Sequence, residues 1–207
     1  MRAPPFLTAT AACLAGLSFL PLAAVSAPRA ARNAGLVDAA TVVKNLVVDL
    51  RYATADNFLK RAVYPAGARC LLRPETAKRL ARAQRFLSAH RLRIKVWDCY
   101  RPLSVQREMW RLVPDERYVG NPAKGSNHNR GAAIDVTLVD ESGHEVEMPT
   151  PHDEFSPRAH ARARDLPVVA KKNRERLRRA MLRAGFRAIT TEWWHFNAPD
   201  AARFPVL

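Results

Sequence analysis

Apolar positions recur along this chain with two distinct periods. Between residues 75 and 90, Ala77, Leu80, Ala83 and Leu87 fall at helical spacing, and Pro74 stands where a helix begins. Leu92, Ile94 and Val96 then alternate with Arg93, Lys95 and Trp97, a period of two that predicts a strand over about 92–98. Pro102 opens a helix running to about 112, with Val105, Met109 and Leu112 on one side. Residues 132–138 alternate again: Ile134, Val136 and Leu138 face one way, and Ala133, Asp135 and Thr137 face the other. A basic helix over 171–184 turns Leu177, Ala180, Met181 and Ala184 inward, and Gly185 is placed to end it. The apolar run 46–50 suits a short strand, and a last strand is predicted over about 187–196. Strands and helices mix without a regular βαβ rhythm. The expectation is therefore an α+β fold, one domain over 27–207, with a largely antiparallel sheet packed by helices.

The first 26 residues depart from this pattern. Arg2 gives a short positive start, the stretch 6–25 is apolar or small without a charge, and Ala24-Val25-Ser26 fits a small-x-small cleavage site. This is the layout of a secretory signal peptide and predicts a periplasmic or secreted protein. Pro21 interrupts the apolar stretch, which argues against a stable membrane span, and too little apolar sequence precedes Cys13 for a lipoprotein anchor. Export leaves Cys70 and Cys99, which read either as a disulfide or as two buried thiols. A helix and a strand joined by a very short turn lie side by side and antiparallel. Cys70 before the helix and Cys99 after the strand then share one end of the pair, within bridging reach.

Composition is ordinary, with 48% hydrophobic and 26% charged residues, but the net charge is +15. Such a charge reads either as solvated helix faces rich in Arg or as a surface suited to a polyanion, which in an exported protein would be anionic cell-wall polymer. No RNA-binding aromatic motif, zinc finger or recognition-helix signature accompanies the charge, so nucleic acid is not expected as a partner.

Two segments carry candidate chemistry. In Gly125-Ser126-Asn127-His128-Asn129-Arg130-Gly131-Ala132-Ala133-Ile134-Asp135, a loop histidine enters a strand whose Asp135 lies opposite the core-facing Ile134 and Val136. A neutral imidazole beside a carboxylate suits zinc. Alone, either residue reads more readily as a loop cap or a turn-bonding acid. The second segment, Glu192-Trp193-Trp194-His195, shifts that balance. His128, Asp135 and His195 together leave one tetrahedral position open, the plan of catalytic zinc, and Glu192 stands by as a base. Glu192 and His195 would face opposite sides of a regular strand, so an irregularity is expected at Trp193-Trp194. Arg101, between a strand and a helix, is placed to steady a developing oxyanion or to make a structural salt bridge.

At these residues the chain resembles the D-alanyl-D-alanine dipeptidases. They sit within a wider group of zinc peptidases that includes D,D-carboxypeptidases and Hedgehog-like domains. The resemblance rests on Ser126, His128 and Asp135, on Glu192 and His195, and on Tyr100-Arg101-Pro102. Asp49-Leu50-Arg51-Tyr52-Ala53-Thr54, Cys70-Leu71-Leu72-Arg73 and Glu192-Trp193-Trp194-His195-Phe196 narrow it to the dipeptidases. It implies a Hedgehog/D,D-peptidase-like fold and hydrolysis of D-Ala-D-Ala in cell-wall turnover. It also implies one zinc ion per chain on His128, Asp135 and His195, with Glu192 as acid/base and Arg101 as transition-state stabiliser. Tyr52, Ser126 and Asp153 would line the substrate pocket, with Asp153 facing the ammonium. One departure stands out: Met148-Pro149-Thr150-Pro151-His152-Asp153 replaces the usual Met-Gly-Thr followed by Phe-Asp, which puts a titratable ring where an apolar one is usual. Two other readings remain: a D,D-carboxypeptidase or endopeptidase acting on longer stem peptides, and a non-catalytic zinc-binding recognition domain. A base and an arginine beside the metal argue against the last.

Overall fold

The computed structural model describes residues 35–207. The expected signal peptide over 1–26 lies outside the described residues. In chain order the elements are β1 (Val37–Asp38), α1 (Ala39–Val42), β2 (Val47–Val48), β3 (Leu71–Leu72), α2 (Pro74–Ser88), β4 (Arg93–Asp98), α3 (Leu103–Leu112), β5 (Ala133–Val139), α4 (Val168–Arg183), β6 (Arg187–Ala188) and β7 (His195–Asn197). The order in the main sheet is β2-β4-β5-β7-β6, and β1 pairs with β3 apart from it.

The three long helices lie where the spacing predicts them. Pro74 occupies the first turn of α2, where its missing N–H costs nothing. Leu80 and Leu87 of α2 and Leu177 and Met181 of α4 join Ile94, Ile134, Val136 and Leu138 of the sheet in one core. Helix α4 starts at Val168, three residues before its predicted start. Val168 and Val169 point to solvent, so apolar spacing carries no trace of this first turn.

The sheet is largely antiparallel, as expected, with one parallel pair, and one expectation, the strand over 187–196, is corrected. The sheet is mixed, because β2 runs parallel to β4 while the other neighbours are antiparallel. A parallel pair needs a long crossover, and β3 and α2 lie within this one. Strand β5 is buried at all seven residues, so the face carrying Asp135 is covered as well as the core face. The strand expected over 187–196 is a hairpin, with Ala188 opposite Phe196, and the irregularity expected at Trp193-Trp194 is present. Trp193 and Trp194 are consecutive and both buried. The chain bends there. Trp193 Nε1 donates to Thr150 Oγ1 at 2.9 Å, and the Trp194 carbonyl accepts from Val136 N–H at 3.1 Å.

Cys70 and Cys99 form a disulfide, with Cα atoms 5.2 Å apart. They flank α2 and β4 at a common end, as the topology predicts. Twenty-nine residues of separation correspond to about 3–4 kcal/mol on the chain-entropy estimate. Reduction should therefore lower the melting temperature by about 10 °C for a domain of this size. Thermal unfolding followed with and without reductant checks this, and unchanged midpoints would contradict it.

Candidate active site

Sheet register assembles the site. Asp135 on β5 is flanked by Asp98 on β4 and by His195 on β7, so three neighbouring strands place an acid, an acid and a histidine in one row. The β4–β5 ladder shifts between Val96 and Asp98, a bulge that sets Asp98 opposite Asp135. His128 enters from a single 3₁₀ turn, His128–Arg130, ended by Gly131 at φ +66°. At φ +66° the backbone angle calls for glycine, and a Cβ there would also press on Leu36 Cδ2.

His128, Asp135 and His195 converge on one point. His128 Nε2 lies 3.1 Å from His195 Nδ1 and 3.4 Å from Asp135 Oδ1, and Asp135 Oδ1 lies 2.9 Å from His195 Nδ1. Ligands of one tetrahedral zinc at bond lengths of about 2.0–2.1 Å stand about 3.3 Å apart, close to this triangle. The outer ring nitrogens fix which lone pairs face inward. His128 Nδ1–H donates to the Cys99 carbonyl at 2.8 Å, and His195 Nε2–H donates to Asn197 Oδ1 at 3.0 Å. Each imidazole thus presents a bare nitrogen to the other and to a carboxylate, an arrangement that a bound cation relieves. Among the described residues these three form the cluster suited to a metal ion.

Glu192 lies in the β6–β7 loop, and its Oε2 is 3.9 Å from His195 Nδ1. The bend at Trp193-Trp194 brings Glu192 and His195 to the same pocket. Burial pushes the Glu192 carboxyl up to about 8; His195 opposes the rise, and Asp135 and Asp153 add to it. Asp135 moves the other way. Burial resists its ionisation, but the His128 ring holds it well below the usual carboxylate range. Two carboxyls driven apart in this manner suit different tasks, one a standing anion and the other a proton carrier near neutral pH.

Arg101 is buried and held on two sides. Its Nε and one terminal nitrogen donate to Asp98 Oδ2 at 2.9 and 2.6 Å, and the other donates to Gln106 Oε1 at 3.0 Å. The same guanidinium lies 3.8 Å from Asp135 Oδ2 and 5.2 Å from the Tyr52 ring. The salt bridge to Asp98 is present, and the same side chain lines the pocket that holds His128, Asp135 and His195. Tyr52 donates its hydroxyl to Asp153 Oδ2 at 2.8 Å, and Ser126 Oγ accepts the His128 backbone N–H at 3.3 Å. All eight predicted site residues line one pocket of about 300 Å³. Phe58, Phe155 and Tyr118 line it too, with successive ring centroids 5.3 and 5.0 Å apart.

Sequence reasoning missed the supports. Asp98, fully buried, accepts from Arg101, from Tyr64 at 2.6 Å and from Cys99 N–H at 2.8 Å. Its signal was its place three residues before Arg101. Asn197, two residues past His195 on the same strand face, was legible from the period of two alone.

A family model described as peptidase family M15, D-ala-D-ala dipeptidase, matches residues 32–206. The chain belongs to this D-Ala-D-Ala dipeptidase family. It is 41% identical to the D-alanyl-D-alanine dipeptidase of Escherichia coli (strain K12), over 83% of this chain and 89% of the relative. It is 31% identical to the D-alanyl-D-alanine dipeptidase of Enterococcus faecium, over 77% of this chain and 89% of that one. A third dipeptidase so named, from Streptomyces coelicolor (strain ATCC BAA-471 / A3(2) / M145), is also 31% identical, over the same shares. Membership of the M15 dipeptidases makes this chain a metallopeptidase.

Proposed function

We propose that this chain hydrolyses D-alanyl-D-alanine, with one zinc ion held by His128, Asp135 and His195. The observation that carries the reading is the convergence of the metal triangle, Glu192 and Arg101 on one small pocket. A volume of about 300 Å³ is at the lower end for ligand pockets and suits a substrate of dipeptide size. Zinc bound there supplies Lewis-acid activation of water and of the scissile carbonyl.

Glu192, in its ionised form, takes the proton from the attacking water and returns it to the leaving amine. Arg101, locked by Asp98 and Gln106, keeps a fixed cation beside the site, where charge develops on the carbonyl oxygen. Asp153, held by the Tyr52 hydroxyl, binds the substrate ammonium, and Ser126 faces the carboxylate end. Buried Trp194 and the Phe58–Phe155–Tyr118 rim limit solvent.

We place the protein in the periplasm or outside the cell. The leader-like segment 1–26 supports this, as does the Cys70–Cys99 bridge, since disulfides persist in oxidising compartments. No helix among the described residues is long and apolar enough to cross a membrane. The net charge of +15 suits contact with anionic wall polymer.

D-alanine release from D-Ala-D-Ala, beside release from a pentapeptide ending in the same pair, tests the substrate. The dipeptide should be cleaved and the pentapeptide left essentially intact. Comparable cleavage of both would make the enzyme a carboxypeptidase.

A further inference from the structure

The His152 side chain is 6% exposed, and nothing in the proposed reaction uses it. It stacks at 4.9 Å on Trp97, with Trp194 edge-on at 5.5 Å and Tyr52 at 5.9 Å. Those contacts account for a ring but not for a nitrogen. Nε2 is buried without a hydrogen-bond partner, a costly arrangement where a phenyl ring would pack as well.

That nitrogen points into the gap between two carboxylates. It lies 3.6 Å from Asp135 Oδ2 and 3.4 Å from Asp153 Oδ1, and a small tilt of the ring closes either gap. Asp153 has φ +58°, a left-handed angle that aspartate tolerates better than most residues. This turn is where the chain delivers His152 and Asp153 to the pocket together. Asp135 is divided in its duties: Oδ1 faces the two histidine nitrogens, while Oδ2 faces Arg101 at 3.8 Å and His152. A carboxylate that spins about its last bond loses this division. A donor on Oδ2 prevents the spin.

We propose that His152 is a positioning residue for the metal centre, its Nε2–H holding Asp135 Oδ2 so that Oδ1 stays turned to the metal. The role rests on the metal-centre reading above. Outer-sphere partners of metal ligands typically contribute 10- to 100-fold in metal affinity.

The test is the zinc dissociation constant of the purified chain, measured by competition with a chromophoric chelator. His152→Phe keeps an aromatic ring and removes the donor. His152→Leu is a second variant without the donor, in case the first does not fold. His152→Gln keeps an N–H of similar reach but loses the ring. Zinc binding should weaken by about 10-fold or more in the Phe and Leu variants. The Gln variant should bind at least about threefold more tightly than either, a rescue that loss of stacking alone would not produce. Wild-type affinity in the Phe or Leu variant overturns the proposal, and so does a Gln variant no tighter than they are. A wild-type protein that binds no zinc overturns the metal-centre reading itself. Wild-type binding with unaffected variants overturns only the role of His152.

Discussion

Replacing His195 with alanine should remove the metal and the activity together. His195 supplies one corner of the nitrogen–nitrogen–oxygen triangle, and its Nδ1 stands at 3.1 and 2.9 Å from the other two ligand atoms. Two ligands do not hold zinc against the competition of water in a site built for three. A metal contributes several kcal/mol of transition-state stabilisation, and each 1.4 kcal/mol or so is a factor of ten, so activity should fall by about 10³-fold or more. His128→Ala should behave alike, because its Nε2 closes the same triangle. Metal analysis of the purified variants, alongside D-alanine release, checks both. Stoichiometric zinc in either variant would move the ligand set elsewhere.

Glu192→Ala separates proton transfer from metal binding. The carboxylate lies 3.9 Å from His195 Nδ1, close enough to serve the same reacting centre and outside the triangle. Zinc content should stay near one per chain while kcat falls by about 10²–10⁴-fold, the usual cost of losing a positioned acid/base. KM should change far less, since Asp153 and Ser126 remain. Turnover at the wild-type level would assign the proton transfers to another group. Loss of zinc would make Glu192 a ligand rather than a base.

What was legible in the sequence was whatever repeats or carries rare chemistry. Leu80 and Leu87, or Leu177 and Met181, betray their helices because a buried face recurs every three to four residues. His128, Asp135 and His195 are legible because those side chains in those settings have few ordinary uses. The β6–β7 hairpin was not legible as a hairpin. Residues 187–196 read as one strand with an irregularity at Trp193-Trp194, and only the pairing of Ala188 with Phe196 shows it to be a hairpin. Strand β2 is two residues long, and its parallel pairing depends on where the β4 edge lies, a tertiary fact. Asp98 and Asn197 were overlooked because each acts through another residue, holding Arg101 or His195 in place. A side chain that works by orienting its neighbour looks like any buried polar residue until the neighbour is located. The Cys70–Cys99 bridge is the opposite case: topology alone brought both residues to one end of the α2–β4 pair.

The most direct test of a zinc dipeptidase is a titration. Protein stripped of metal by a chelator is supplied with increasing zinc, and D-alanine release from D-Ala-D-Ala is followed. Activity should be absent without metal, rise in proportion to added zinc, and level off at one equivalent per chain. Full activity in the stripped protein, or no D-alanine released at any zinc concentration, would contradict the account.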